Sequence, residues 1–152
     1  MKYLILIIIL ITQPSFAAKK DINIIYNELK EFHEGLLRSN YQETILTVWV
    51  KITDALIHEE MFPIYTKYKF KCNVIEIFKG KEEKEIEYIR FMETLSSSKK
   101  LKEHIGKTGI ISVFFDKEKS QYYIGDNGYN LPDTPYLLEI ARKLKTQNKG
   151  MQ

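Results

Sequence analysis

The stretch Tyr65–Gly80, YTKYKFKCNVIEIFKG, decides the fold of this 152-residue chain. Tyr68, Phe70, Cys72 and Val74 alternate with Lys67, Lys69, Lys71 and Asn73, the two-residue period of a half-buried strand. At Val74-Ile75 the phase slips, and Ile75 and Ile77 then alternate with Glu76. One inserted residue, a β-bulge, produces such a slip and bends the strand. Closing a small barrel requires a strand of this kind. Lys79-Gly80-Lys81 is the turn that follows.

Upstream, Thr44–Ile57 sets Leu46, Val48, Val50 and Ile52 against Thr47, Trp49, Lys51 and Thr53, a second half-buried strand that ends in HEEMFP (His58–Pro63). Downstream, Glu85–Met92 reads as the third strand, with Ile86, Tyr88 and Arg90 opposed to Ile89 and Phe91 across a second phase change. Ser96–Ile105 has the composition of a short helix, closed by Gly106–Gly109. The almost wholly apolar Ile110–Phe115 predicts a central strand, and Asp116–Lys119 turns into a last strand at Gln121–Ile124. In GDNGYNLPD (Gly125–Asp133), Gly125 and Asn127-Gly128 fit positive-φ turn positions, and the oxygen donors lack the spacing and closing glutamate of a calcium loop. It is a strand-to-helix connector, with Tyr129 and Leu131 sealing the barrel end.

Helices are expected at both ends. Asp21 caps a helix whose Ile22, Ile25, Leu29, Phe32 and Leu36 share one face, with Ser39-Asn40 ending it, as a lid on the domain. Thr134-Pro135 opens a C-terminal helix with Tyr136, Leu137, Ile140, Ala141 and Leu144 on its apolar face. Three strands, a helix and two strands is the order of the OB-fold. The expected fold is therefore mostly β, a five-stranded OB-like antiparallel barrel with flanking helices. A cystatin-like sheet wrapped on the first helix is the alternative.

The first 17 residues, MKYLILIIILITQPSFA, combine Lys2, an apolar run Tyr3–Ile11 and a small-x-small site ending at Ala17, the pattern of a cleaved secretory signal peptide. The expected organisation is signal peptide 1–17, N-terminal helix 18–41, barrel with C-terminal helix 42–146 and disordered tail 147–152. Export to the periplasm or beyond follows, with no membrane span after cleavage. The lone cysteine, Cys72, excludes an intramolecular disulfide and reads as a small buried hydrophobe. Net charge is +3, with acidic and basic residues interspersed as in KGKEEKEIEY, so no nucleic-acid footprint is present.

Two segments carry a resemblance, YKFKCNVIEIFKGKEEKEIEYI (Tyr68–Ile89) and IGKTGIISVFFDKEKSQYYIG (Ile105–Gly125). An aromatic-rich strand ending in V-x-x-[IV]-F-K-G and a later apolar strand before Y-Y-I resemble exported bacterial OB-fold domains related to tissue inhibitors of metalloproteinases and netrin-like modules. The resemblance implies that scaffold and, in the inhibitors, protease binding through an N-terminal cysteine that chelates the catalytic metal. Here the expected mature chain begins at Ala18, without that cysteine or the family's disulfides.

Catalytic patterns are not evident. His58-Glu59-Glu60 places three metal-binding groups in a row, but His33, His58 and His104 form no H-x-x-x-H or H-E-x-x-H. His104 is expected at a helix C-terminus, where a charged imidazole suits the helix dipole. No cofactor is implied. Trp49, aromatic on a polar face, is the leading candidate for a partner surface, with Lys51 beside it and Lys67, Lys69 and Lys71 on the next strand. The competing reading is that a terminal helix covers Trp49. The expected function is a non-enzymatic binding protein of the periplasm with a protein or glycan partner of unknown identity. The alternatives are an immunity or inhibitor protein against a toxin or hydrolase, and a metal-dependent hydrolase using His58, Glu59 and Glu60. Oligomeric state is not legible.

Overall fold

The run Tyr65–Lys79 forms one strand, bent where its phase slips. A computed structural model describes residues 15–61, 65–93 and 98–149. In chain order the elements are α1 (Ser15–Glu43), β1 (Leu46–Met61), β2 (Tyr65–Lys79), β3 (Glu85–Glu93), α2 (Ser98–Lys102), β4 (Thr108–Asp116), β5 (Gln121–Ile124), a 3-10 turn (Asn127–Tyr129), β6 (Asn130–Leu131) and α3 (Pro135–Lys149). The chain divides into two compact units between His33 and Glu34. Residues 1–14, with most of the expected leader, and residues 150–152 of the expected tail lie outside the described residues.

The sheet runs β1-β2-β3-β5-β4 and closes by pairing β4 back onto β1, Leu46 opposite Val113 through Lys51 opposite Thr108. This is a five-stranded OB-like barrel with flanking helices, and the closure excludes the open cystatin-like sheet. One ladder departs from the expected antiparallel pairing: β3 and β5 are parallel, Tyr88 beside Tyr122. The reason is parity. Five strands cannot alternate direction all the way round a closed barrel, so at least one neighbouring pair must run the same way.

The bulge expected at Val74-Ile75 is present. Trp49 pairs with Glu76 and Val50 with Val74, leaving Ile75 as the extra residue. Its effect is to turn Glu76 outward and Ile77 back toward the barrel interior. Three more register shifts leave Phe78, Thr53 and His58 as extra residues on their strands. Between β2 and β3 the register is unbroken, so the phase change expected in β3 is absent. Ile86 and Tyr88 point inward while Glu87 and Phe91 stay exposed.

Two clusters of buried side chains hold the barrel unit together. The interior packs Leu46, Val48, Val50, Phe70, Cys72, Tyr88, Val113 and Ile124, with Phe70 stacked on Tyr88 at 5.3 Å between centroids. The outer cluster joins Leu37 and Tyr41 of α1, Phe78, Ile110 and Leu131 of the sheet, and Leu137, Leu138, Ile140 and Ala141 of α3. Removing apolar side chains of this size from water contributes roughly 1.5–3 kcal/mol each. Thr134 Oγ1 accepts from the Leu137 amide at 3.3 Å, capping α3 as its sequence predicts.

Both terminal helices outrun their expected ends. Asn40 does not stop α1: its side-chain amide donates to the Gly128 carbonyl at 2.8 Å, outside the helix, and the backbone continues to Glu43. Closure falls to Thr44, whose amide and hydroxyl both donate to the Asn40 carbonyl. At the other end α3 reaches Lys149, beyond the expected boundary at 146, because no glycine or proline interrupts it. The connector Gly125–Asp133 also differs in detail. Its glycines are not at positive φ; among the described residues those positions are Gly80 and Gly106, with Ser120 the non-glycine case. A 3-10 turn held by the Asp126 carboxylate, which accepts from the Gly128 amide at 2.6 Å, does the turning. Tyr129 packs on the barrel interior as expected, but Leu131 is buried in the outer cluster, beside Ile110 and α3, and does not seal the barrel end.

The Tyr88 hydroxyl is buried and meets no hydrogen-bond partner among the described residues. Burial pushes its pKa well up. Tyr88→Phe is therefore expected to raise stability by about 1 kcal/mol, since it removes an unpaired polar atom and keeps the ring. Chemical denaturation checks this. A drop in midpoint would mean that the hydroxyl is satisfied, and the idea would fail.

Candidate functional site

Alternation along β2 sends Thr66, Tyr68, Phe70 and Cys72 inward and leaves Tyr65, Lys67, Lys69 and Lys71 on the outer surface. The ladders then bring neighbours to them from both sides. Lys67 lies between Glu59 of β1 and Phe91 of β3, Lys69 between Leu56 and Ile89, and Lys71 between Asp54 and Glu87. Lys67 Nζ binds the Glu59 carboxylate and sits 5.4 Å from the centre of the Phe91 ring. The Lys67 hydrogen bond and charge lower the Glu59 pKa. Lys71 and Lys69 converge on Glu87, at 3.1 and 3.7 Å. Exposed ion pairs contribute at most about 1 kcal/mol each, so their main effect is on the chemistry the surface presents.

Apolar and aromatic groups are interleaved with these charges. Tyr65 is 55 % exposed, Phe91 43 % and, opposite Lys69 on β1, Leu56 36 %. Beside Ile89, Tyr123 of β5 stacks on Phe114 at 5.5 Å. At the margin of this face a hollow of about 410 Å³ is lined by Lys69, Glu87, Phe115, Lys119, Ser120, Gln121 and Tyr122. The β4–β5 turn forms its wall. Asp116 holds that turn by accepting from the amides of Glu118 (3.0 Å) and Lys119 (3.2 Å).

Trp49 is not part of this face. It sits opposite Ile110 and Glu76, packs on the outer cluster, and donates its indole N–H to Asp133 at 2.9 Å. The connector and α3 thus take it up as a structural residue, so the proposed grouping of Trp49 with the lysines is corrected. Lys51, opposite Asn73, is exposed. Lys71 pairs five residues further along β1 than Trp49, about 16 Å at the strand rise. The structure brings Lys67, Lys69 and Lys71 together and leaves Trp49 apart.

The other sequence candidates resolve individually. His58 is the extra residue of a bulge, and Glu59 is engaged by Lys67. Among the described residues no group of three His, Cys, Asp or Glu side chains could hold a metal ion. His104 lies in the turn after α2 with its ring edge-on to Phe70 at 5.6 Å. Burial, then the charges of Lys107 and Arg90, lowers its pKa, so its environment disfavours the charged imidazole expected at a helix end. Cys72 is buried and its thiol is pushed up to about 12 by desolvation, an unreactive side chain.

A larger open groove of about 1150 Å³ runs along the bulged end of β2, past Val74, Ile75 and Ile77, toward Lys145 and Asn148 of α3. Several of its polar groups are already engaged within the protein. Glu76 binds Arg142 at 2.8 Å, Glu83 accepts from Tyr122, and Lys79 is held by backbone carbonyls. Charges are paired on both surfaces; the β2–β3 face is the better candidate because it exposes the aromatic rings Tyr65 and Phe91, whereas the groove exposes Ile45 and Ile75. The residues missed from sequence are Tyr65, Phe91 and Glu87, while Glu59 was read only as a metal-binding group; the alternation of Glu87 and Phe91 with Tyr88 and Arg90 was the available signal for two of them. No helix among the described residues is long and apolar enough to cross a membrane. No protein-family model matches the chain, and no curated protein matches it.

Proposed function

We propose that this protein is an exported, non-enzymatic binding protein that engages a protein partner through the outer face of β2 and β3 and the adjoining β4–β5 turn. One observation carries the reading: exposed Tyr65 and Phe91 stand among Lys67, Lys69 and Lys71, which are paired with Glu59 and Glu87. The strand 2–3 face and the loop between strands 4 and 5 are where OB-folds take ligands. Aromatic anchors framed by paired charges suit a protein surface, whereas a polyanion calls for an excess of unpaired lysine and arginine. The apolar leader with its small-x-small site supports export. An inhibitor or immunity role is the same face with a hydrolase or toxin as partner; a glycan is the competing ligand.

A photo-crosslinking residue at position 91 tests this, with position 143 on the exposed side of α3 as control. A discrete protein adduct is expected at 91 alone. Tyr65→Ser with Lys67→Glu should weaken binding of that partner about 30-fold or more, the effect of losing an aromatic anchor and inverting a charge beside it. Equal crosslinking from position 143, or undiminished binding by the double variant, would place the site elsewhere.

A further inference from the structure

On α1, the large apolar side chains Ile22, Ile25, Leu29 and Phe32 are exposed by 64, 62, 50 and 60 %. The expected lid role is met only at the end of the row, where Leu36 packs on the outer cluster with Leu37 and Tyr41; the four residues ahead of it stay exposed. Steps of three, four and three make the row an a-d-a-d seam of a heptad repeat, the spacing that keeps two supercoiled helices in contact. We propose that the row is the seam of a dimer in which the α1 helices of two copies of this chain pair in parallel.

Three observations favour a second copy in parallel over other occupants. The first is area. Four half-exposed large side chains, flanked by Tyr26 (67 % exposed), offer on the order of 500–600 Å² per copy. The pair then buries about 1,000–1,200 Å², the lower end of specific interfaces, so association is reversible. The second is charge. In a parallel pair Glu28, at position g, faces His33 of the second copy at position e, and the imidazole donates to the carboxylate. In a centred antiparallel pair Glu28 faces Glu28. The third is the polar side of the helix. Along the α1 sequence Lys19, Lys20, Lys30 and Arg38 are offset by Asp21, Glu28, Glu31, Glu34 and Glu43, a balanced charge unlike the basic face of a membrane-surface helix.

Sedimentation equilibrium of the purified chain, its N-terminus established by mass spectrometry, is the test. The mass is expected to rise from one chain at low micromolar concentration toward two at a few hundred micromolar. Ile25→Glu and Leu29→Glu should each hold it at one chain throughout. Both positions are exposed, so the far-ultraviolet spectrum and thermal midpoint of the dilute protein should not change. Leu29→Cys should yield a disulfide-linked pair under mild oxidation, while Glu31→Cys, outside the seam, should not. A wild-type chain that stays at one copy at every concentration overturns the proposal. So does a dimer indifferent to Leu29→Glu, or a monomer that binds phosphatidylglycerol vesicles through the same row.

Discussion

Gly80→Ala is expected to cost about 3–4 kcal/mol of stability. Two separate penalties add. The backbone at Gly80 has φ +101°, a conformation that side-chain-bearing residues rarely adopt, and forcing one there costs about 1–3 kcal/mol. An added Cβ would also stand 2.7 Å from Leu46 Cδ1 and 2.9 Å from the Ile45 carbonyl oxygen. Relieving that overlap moves the start of β1 and costs about 1–3 kcal/mol more. Gly106 separates the two contributions, because its φ is +87° but an added Cβ meets open space. Gly106→Ala should therefore cost only about 1–2 kcal/mol. Denaturant midpoints at unchanged slope measure both variants. Equal losses would show that Gly80 is kept for its dihedral alone and would remove the packing argument.

Lys79→Met is expected to lower stability by about 2–3 kcal/mol. The ammonium of Lys79 donates to the carbonyls of Tyr41 (2.6 Å), Gln42 (3.2 Å) and Thr44 (2.5 Å), at the C-terminal end of α1. These include carbonyls that the helix cannot satisfy for itself, and a cation there also meets the negative end of the helix dipole. Partial burial lowers the Lys79 pKa, the cost of holding the charge there, while the same geometry makes its hydrogen bonds charge-assisted. Methionine keeps the length of the stem and removes the donors. For a domain of this size the loss corresponds to a fall in melting temperature of roughly 8–12 °C. Lys84, exposed on the β2–β3 turn, is the control, and Lys84→Met should shift stability by less than about 0.5 kcal/mol. Comparable effects at the two positions would mean that Lys79 does not cap α1.

These two residues give a physical content to the F-K-G at the end of β2. Phe78 packs in the outer cluster, Lys79 caps α1, and Gly80 passes under Ile45 and Leu46. Phe78 and Lys79 join the barrel to its flanking helices, and Gly80 lets the end of β2 pass close to the start of β1. The F-K-G motif is thus a structural one, and it bears on scaffold rather than on binding.

The bulge at Ile75 was legible because two apolar alternations of opposite phase meet there. Those at Thr53 and His58 were not, because the residues around them are polar or ambiguous and leave alternation without contrast. The adjacent polar pair Thr53-Asp54 was the one available hint. The exposed row on α1 was legible as a helical face, but periodicity does not say what a face packs against. The outward lysines of β2 were likewise readable, since a strand's period places every second side chain on one surface.

Local order, then, was determined by the sequence itself: the strand and helix periods, the bent β2, the buried unpaired Cys72 and the Lys67-Lys69-Lys71 row all follow from neighbours in the chain. Only the tertiary structure decided which distant residues meet. Closure of five strands set β5 parallel to β3, and the ladders brought Glu59, Glu87 and Phe91 to the lysines. Docking of α3 and the connector sets Trp49 against the outer cluster, half-buried, with Asp133 on its indole. Side-chain period is a property of the backbone over a few residues. What covers a face depends on residues far along the chain (84 positions separate Trp49 from Asp133), and no local pattern encodes that.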